Sequence, residues 1–370
     1  MSALKWLNPS LATLTPYEPG RPIEDVAREH GLAPDEICKL ASNENPLGTS
    51  PKAKQAMCEK LDDCFLYPDG GAFYLREKLA LKYNALREQV ILGAGSNEIL
   101  EFIGHCFFAP DRSIVVSAHA FVIYKLIATV FGTEIRETPA AGLGHDMDAM
   151  AEAVRENTSV VFICNPNNPT GTIVDETATD RFMDAVPEDT LVVFDEAYAE
   201  IALDTMPDTL KYVREGRNCV VLRTFSKAYG LAGLRIGYGI GPQPIINALQ
   251  KARQPFNVSR IAQEAAFAAL DDHEFINQSR TLFADSKQYF EKEFTRLGFE
   301  FQPSIANFVL VKVGDAAQVA DKLMKKGMIV RPMAGYGLPA YIRISYGTPS
   351  QNKQAVKALA ETVNPQTLTR

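Results

Sequence analysis

The chain has 370 residues, of which 46% are hydrophobic and 22% charged, a composition that excludes a disordered or fibrous protein. Its formal net charge of -7 and its pI of about 5.4 would repel a polyanion, so nucleic acid is not expected as a partner. No stretch approaches the ~20 apolar residues that span a bilayer, and the N-terminal region lacks a signal-peptide pattern. We therefore expect a cytoplasmic protein that does not bind membranes.

The cysteines and histidines do not predict a site. The six cysteines are scattered without a CxxC pair, and several lie inside apolar runs, which favours reduced residues in the core. The five histidines lack the paired spacing of a zinc or iron site, so no metal site is expected.

The chain begins with a segment that is rich in turn-forming residues. Residues 1–45 contain several prolines and one predicted helix at 23–29. We expect this segment to form an N-terminal arm and part of a small domain.

Short apolar runs then alternate with longer helical patterns. Because these runs are apolar on both faces, they predict strands of a mostly parallel sheet that helices cover on both sides. A helix over 97–108, with apolar residues on one face, is a typical crossover in this α/β pattern. The predicted large domain covers 46–270, and its strands lie at 89–92, 113–116, 159–163, 191–194 and 219–223.

The pattern changes after residue 270. A long polar helix is predicted at 275–297, followed by the strand-like NFVLVKV, a helix-like stretch and the strand-like YIRISYG. This order of elements predicts a second, smaller α+β domain over 271–370.

Polar clusters follow the predicted strands, at the edge where ligands bind in open α/β sheets. Residues 93–98 (GAGSNE) combine glycines with a serine at a predicted helix start, which is typical of an anion site. Residues 165–171 (NPNNPTG) hold amide side chains, and 195–198 (DEAY) hold a carboxylate and a phenol. Taken alone, each cluster is also explained by an ordinary turn or helix start.

A fourth cluster contains a lysine just past a predicted buried strand. A lone lysine is usually a solvated surface charge. Lys227, however, lies between hydroxyl residues and a stretch of small residues, where it can lose its proton and form an imine with a carbonyl compound. Arg235 could supply a fixed cation for a phosphate.

Together the clusters offer a lysine, a carboxylate, a phenol, an amide and a phosphate site. Pyridoxal 5'-phosphate requires this set, because its aldehyde reacts with a lysine and its ring withdraws electrons only when a carboxylate keeps the pyridine nitrogen protonated. Asp195 fits that carboxylate.

Several stretches also resemble a known family over nearly the whole chain. The sequence is similar to the fold type I aminotransferases, and within them to the histidinol-phosphate branch. The superfamily resemblance lies in NPNNPTG and TFSKAYGLAGLRIGY, and that to the branch in the YEPG, SNENPLG and VRPMAGYGLP stretches; LYPDG and DEAY also match.

The resemblance implies roles for individual residues. Lys227 would form the imine with the cofactor and move the proton of the substrate carbon, Asp195 would pair with the ring nitrogen, and Asn168 and Tyr198 would hydrogen-bond the 3-oxygen. The remaining implied cofactor contacts are Ala94, Gly95, Ser96, Thr224, Ser226 and Arg235, with Tyr67 reaching in from the second subunit of a homodimer that shares its active sites.

For the ring-stacking residue and the substrate contacts, the resemblance implies a further set. Phe121 would stack on the cofactor ring, although SAHAF lacks the proline that many relatives carry there, so Tyr124 is the alternative. The implied substrate contacts are Asn43, Arg331, Arg343 and Tyr17, which would reach in from the partner subunit. For both arginines, an exposed surface charge is the alternative.

The expected reaction is transfer of the amino group of histidinol phosphate to 2-oxoglutarate, which gives imidazole acetol phosphate and glutamate. A broad aromatic aminotransferase is the first alternative, since imidazole and benzyl groups can share one pocket. A threonine-phosphate decarboxylase is the second. A ligand-sensing regulator would need a DNA-binding domain, for which the arm is too short.

Overall fold

The computed structural model describes residues 2–12, 14–16, 20–202 and 205–365. Its helices and strands follow the alternation expected from the sequence. The strands are β1 (Cys38–Lys39), β2 (Val90–Gly93), β3 (Ser113–Ser117), β4 (Glu134–Thr138), β5 (Ala140–Ala141), β6 (Gly144–His145), β7 (Thr158–Cys164), β8 (Leu191–Asp195), β9 (Cys219–Thr224), β10 (Gly237–Ile240), β11 (Phe301–Gln302), β12 (Phe308–Lys312), β13 (Met328–Ile329), β14 (Arg331–Met333) and β15 (Leu338–Ser345).

Helices connect most of these strands. They are α1 (Ile23–His30), α2 (Pro51–Glu59), α3 (Phe73–Tyr83), α4 (Ser96–Phe107), α5 (Ile123–Val130), α6 (Met147–Glu152), α7 (Glu176–Ala185), α8 (Ala199–Ala202), α9 (Leu210–Arg214), α10 (Gln243–Ala252), α11 (Arg260–Ala269), α12 (His273–Leu297), α13 (Ala316–Met324) and α14 (Pro349–Ala360). Within the described ranges, none of them is both long and apolar enough to cross a membrane.

The larger sheet has the strand order β2, β10, β9, β8, β7, β3, β4. Its neighbouring strands pair in parallel, except that β10 is antiparallel to both β2 and β9. Because β10 lies between them, β2 and β9 point the same way as the rest. The carboxyl ends of β2, β3, β7, β8 and β9 therefore meet at one edge, and the mostly parallel sheet expected from the sequence is confirmed.

The apolar runs are buried on both faces because helices cover both sides of this sheet. Along β7, Val161 and Ile163 pack into one core cluster, while Val160 and Phe162 pack into the cluster on the opposite face. Side chains alternate along a strand, so a run without polar residues is what a doubly covered strand requires. Each such buried side chain contributes about 1.5–3 kcal/mol.

A second, antiparallel sheet has the order β11, β12, β15, β14. Helices α12, α13 and α14 contribute to its core cluster, and so do Cys38 and Leu40 from the N-terminal segment. Strand β1 pairs with β13, with Cys38 opposite Met328. We propose that the two domains divide as expected, into 46–270 and 271–370, with 1–45 contributing to the smaller one.

The cysteines differ in part from the expectation. All six are free, and Cys38, Cys164 and Cys219 are buried, but Cys58 and Cys64 are exposed. The interpretation of all six as core residues is wrong for these two, because Cys58 is in the last turn of a surface helix and Cys64 follows a short 3-10 helix.

Candidate active site

A cavity of about 430 Å³ lies at the sheet edge where five strands end. It also borders the small antiparallel sheet, so residues from both parts of the chain line it. Of the residues expected to form the site, those that line the cavity are Asn43, Gly95, Ser96, Phe121, Asn168, Asp195, Tyr198, Thr224, Ser226, Lys227, Arg235, Arg331 and Arg343.

Lys227 follows β9 and extends into the cavity. Its Nζ donates a hydrogen bond to the carbonyl oxygen of Ser42 at 3.4 Å. Burial and, to a smaller extent, the positive charge of Arg343 lower the pKa of Lys227 to about 8, against the opposing effect of Glu44. At pH 8 a substantial fraction of this amine is therefore neutral and able to attack a carbonyl carbon.

Asp195 is the last residue of β8 and is 3% exposed. Its Oδ2 accepts a hydrogen bond from the Tyr124 hydroxyl at 2.8 Å, whereas its buried Oδ1 has no partner in the described part of the chain. Burial raises the pKa of Asp195 to about 6. This carboxylate has a vacant acceptor oxygen in a setting that favours a positively charged donor.

Tyr124 lies behind Asp195 rather than in the cavity. Its ring is stacked on Phe162, with centroids 4.5 Å apart and an interplanar angle of 6°, and its hydroxyl donates the hydrogen bond to Asp195. Phe121, in contrast, lines the cavity and contacts Tyr124 edge to face at 5.7 Å. Of the two rings weighed for stacking, Phe121 alone faces the cavity.

Of the three asparagines that follow β7, one faces the cavity. The side chain of Asn165 donates a hydrogen bond to the carbonyl oxygen of Val174 at 3.0 Å and accepts one from its N–H at 2.9 Å. Asn167 donates to Thr170 at 2.8 Å. Asn168 lines the cavity, and its Oδ1 accepts a hydrogen bond from Arg343 Nη1. The first two amides therefore hold the loop in place around the third.

One end of the cavity has the features of an anion site. Helix α4 begins at Ser96, after Gly95 with a φ of 80°. This φ favours glycine, and a Cβ added at Gly95 would lie 2.5 Å from Nη2 at the end of the Arg235 side chain. The helix N-terminus and Arg235 thus face a common space. Thr224 Oγ1 donates to Ser226 Oγ at 3.0 Å next to this space.

Three residues expected at the site lie elsewhere or are not described. Ala94 does not line the cavity, since its N–H donates to Glu98 at 2.6 Å and its carbonyl oxygen accepts from Arg235 at 3.4 Å. Tyr67 is 79% exposed and stacks on Phe256 at 4.7 Å, outside the cavity of its own chain. Tyr17 falls outside the described residues.

Two arginines reach the cavity from the small sheet. Arg331 on β14 and Arg343 on β15 are directly opposite each other across the strand pair. Arg343 is 6% exposed; its Nη2 donates to the carbonyl oxygen of Ala41 at 2.9 Å, while its buried Nε has no partner among the described residues. Like charges opposite each other destabilise a sheet, so this pair suits an anionic ligand.

The sequence interpretation did not single out several other residues of the site. Asn97 lies in the cavity lining, and so do Ser42, Glu44 and Tyr336. All four fall inside stretches that carried the family resemblance or the glycine cluster. His119 has a φ of 59°, and its Nδ1 lies 2.7 Å from the Tyr336 carbonyl oxygen, a contact that the sequence does not indicate.

The residues present fit pyridoxal phosphate. Asp195 Oδ1, which has no partner among the described residues, provides an acceptor for a ring N–H, and the start of α4 at Gly95 together with Arg235 provides an anion site. Lys227 projects into the same cavity. A carbonyl, a basic ring nitrogen and a phosphate on one molecule match these three features.

Comparison with known proteins identifies the family. The model of the family "Aminotransferase class I and II" matches residues 35–359. The chain belongs to this family. The fold type I architecture expected from the sequence is therefore confirmed.

Individual aminotransferases are similar over nearly the whole chain. A histidinol-phosphate aminotransferase of Akkermansia muciniphila is 49% identical over 98% of this chain and 99% of its own length. Histidinol-phosphate aminotransferase 2 of Pseudomonas aeruginosa is 46% identical, covering 95% of this chain and 96% of its own. The crystal structure of the Sinorhizobium meliloti histidinol-phosphate aminotransferase with pyridoxal-5'-phosphate is 30% identical, covers 99% of each chain and superposes with a TM-score of 0.88.

Proposed function

We propose that this aminotransferase transfers the amino group of histidinol phosphate to 2-oxoglutarate, giving imidazole acetol phosphate and glutamate in histidine biosynthesis. Its cofactor is pyridoxal 5'-phosphate. The observation that carries the proposal is the opposed pair Arg331 and Arg343 at the cavity that Lys227 enters. The name shared by the similar aminotransferases specifies the donor.

In this proposal Lys227 and Asp195 carry the proton chemistry. When bound, pyridoxal phosphate supplies an electron sink for the charge that develops on the substrate carbon. Asp195 would keep the ring nitrogen protonated, because its Oδ1, which has no partner among the described residues, can accept the ring N–H. Lys227 Nζ would hold the cofactor and would move a proton to and from the substrate carbon.

The other polar residues would hold the cofactor in position. The space for its phosphate is lined by Gly95, Ser96, Ser226 and Arg235. Thr224 is hydrogen-bonded to Ser226. Ala94 contributes only through its carbonyl oxygen, which accepts a hydrogen bond from Arg235.

The remaining cofactor contacts concern the ring. Asn168 and Tyr198 line the side proposed for the 3-oxygen. Phe121 is the proposed stacking residue, because the ring of Tyr124 already stacks on Phe162 and its hydroxyl donates a hydrogen bond to Asp195. A flat aromatic face excludes water and limits rotation of the bound ring.

The two arginines and Asn43 would bind the substrates in turn. A phosphate ester at pH 7 carries close to two negative charges, which two guanidiniums neutralise better than one. In the second half of a ping-pong cycle, the same guanidiniums bind the two carboxylates of 2-oxoglutarate. One site can thus serve both an amino donor and an oxo acid. Tyr17 is proposed as a further contact from a partner subunit.

We also propose a homodimer with shared active sites. A surface around Tyr67 exposes large apolar side chains, more than scattered single residues would explain. Tyr67 itself cannot act on the cavity of its own chain as placed, which suits a role in a neighbouring site. The exposed residues of this surface are Leu61, Phe65, Leu66, Tyr67, Phe73, Tyr74 and Phe256. The proposed location is the cytoplasm, where six free thiols suit the reducing conditions.

A half-reaction panel tests the substrate. Holoenzyme is mixed with histidinol phosphate, phenylalanine or threonine phosphate without an oxo acid, and the visible absorbance of the bound cofactor is followed. We expect rapid conversion by histidinol phosphate alone. Comparable conversion by phenylalanine would show a broad aromatic aminotransferase, and release of carbon dioxide from threonine phosphate would show a decarboxylase.

A further inference from the structure

Asn43 is held by three hydrogen bonds to residues of the small sheet and its flank. It is 1% exposed and has a φ of 55°, a conformation that asparagine adopts more readily than most residues. Its N–H donates to Ser345 Oγ at 2.8 Å, and its Oδ1 accepts a hydrogen bond from the same hydroxyl at 2.8 Å. Its carbonyl oxygen accepts from Asn307 Nδ2 at 3.0 Å. Only the Nδ2 group of Asn43 is left for a different partner.

The two residues that hold Asn43 lie at the ends of neighbouring strands, Ser345 within β15 and Asn307 just before β12. Ser345 ends β15 and is opposite Phe308, the first residue of β12, so Asn307 lies next to it. The N–H of Ser345 donates to the carbonyl oxygen of Leu40 at 2.8 Å, which ties the segment before Asn43 to the same strand. The position of Asn43 is thus determined by the pairing of the small sheet.

The direction of these hydrogen bonds can be deduced. A backbone N–H only donates, so Ser345 Oγ accepts from Asn43, and its own proton goes to Asn43 Oδ1. The amide atom that faces Tyr198 is then Nδ2, which donates to the Tyr198 hydroxyl oxygen at 2.9 Å. The phenol therefore receives one hydrogen bond and keeps its own proton to donate into the cavity.

We infer that Ser345 and Asn307 are positioning residues which, through Asn43, make Tyr198 a proton donor to the 3-oxygen of the cofactor. This inference rests on the proposed function. A donor at that oxygen stabilises its negative charge and draws it away from the neighbouring Lys227 nitrogen. The pKa of that nitrogen, once bonded to the cofactor, is lowered as a result. The small sheet thus adjusts the proton affinity of a residue on the large sheet.

The test is a pH titration of the visible absorbance of the holoenzyme. In Ser345→Ala, Asn43 loses the group that orients its amide, and hydrogen-bonded chains weaken when one member is removed. We expect the titration midpoint to rise by about half a pH unit. Ser345→Thr keeps the hydroxyl and should restore the wild-type midpoint. Asn307→Ala should shift it in the same direction as Ser345→Ala.

Ser286→Ala is the matched control. Ser286 is 3% exposed, donates to the Gly347 carbonyl oxygen at 3.4 Å and accepts from Asn352 at 2.8 Å, so it is a buried serine near the same sheet whose partners are not those of Asn43. It should lower the melting temperature as Ser345→Ala does, without moving the midpoint.

An unchanged midpoint in folded Ser345→Ala would overturn the inference, and so would an equal shift in Ser286→Ala. If Ser345→Ala does not fold, Ser345→Cys replaces it, because a thiol has nearly the same volume and forms only weak hydrogen bonds. A wild-type chain that shows no visible absorbance with added cofactor would instead contradict the proposed function. The two failures are therefore distinguishable.

Discussion

In the large sheet, the side chains proposed to contact the cofactor ring lie at or shortly after the carboxyl end of a strand. Lys227 follows β9, Asp195 ends β8 and Asn168 follows β7. In the small sheet, Arg331 and Arg343 come together only because β14 and β15 pair in one register. The cofactor half is thus fixed by strand order and the substrate half by strand pairing. Substitutions in the two halves should differ in kind as well as in size.

The largest effect is expected at Lys227. Lys227→Ala removes the group that bonds the cofactor and moves the proton, so turnover should fall by about 10⁴-fold while the cofactor stays bound noncovalently. Steady-state kinetics and dialysis against buffer measure the two effects. Lys125→Ala, at a partly exposed lysine paired with Glu137, is the control. Normal turnover in Lys227→Ala would contradict the whole assignment.

Asp195→Asn should lower turnover by about 100-fold, because the amide cannot neutralise a protonated ring nitrogen. It should also stabilise the cofactor-free protein at pH 8. The pKa of Asp195 is raised to about 6 in the folded state, so its contribution to stability is present below about pH 4 and is lost as the pH rises through 6. The gain is up to about 3 kcal/mol, since each pKa unit corresponds to about 1.4 kcal/mol.

Denaturant unfolding of the cofactor-free protein at pH 4 and pH 8 checks this sign. The difference between Asp195→Asn and wild type should be small at the lower pH and favour the variant at the higher pH. A wild-type protein that is the more stable of the two at pH 8 would mean that the buried carboxylate has a partner in solution.

In the substrate half, lysine substitutions separate the two arginines. Arg343→Lys loses the donors to Asn168 and Ala41 as well as the planar group that binds a carboxylate, so kcat/KM should fall about 100-fold for both substrates. Arg331→Lys should cost about 10-fold, mainly with histidinol phosphate. Equal losses for both substrates in Arg331→Lys would show that it does not distinguish the phosphate ester.

Tyr124→Phe should have an effect no larger than that of Arg331→Lys. It removes the hydrogen bond that Asp195 Oδ2 accepts, and since this bond lowers the pKa of Asp195, that pKa should rise further. Cofactor affinity at pH 7 should fall about 10-fold. Tyr212→Phe, which removes a hydroxyl bonded to Asp180, is the matched control. Unchanged affinity in Tyr124→Phe would show that Asp195 does not depend on this contact.

The sequence predicted the strands of the large sheet where burial on both faces produced a continuous apolar run. It did not predict β10 (Gly237–Ile240), in which glycine alternates with larger residues. Glycine is needed there because a Cβ at Gly237 would lie 2.3 Å from the backbone nitrogen of Ser96. The edge strand β4 was also missed, since its residues are mostly exposed or half-buried and give no apolar run.

Within the site, the sequence indicated residues that follow strands but not their partners. Tyr124 and Asp195 are 71 residues apart, and Asn43 and Tyr198 are 155 apart, so no local pattern connects them. The opposed placement of Arg331 and Arg343 depends on a register that only the folded sheet defines. Local chemistry was therefore readable from the sequence, whereas the contacts that adjust its pKa values depend on tertiary structure.

The most direct test of the account is to trap the cofactor on its lysine. Holoenzyme is reduced with borohydride, digested and analysed by mass spectrometry. The account predicts that the added pyridoxyl phosphate mass lies on the peptide that contains Lys227, and that Lys227→Ala holoenzyme acquires none at this peptide. A label on another lysine, or no label in a protein that has bound the cofactor, would contradict it.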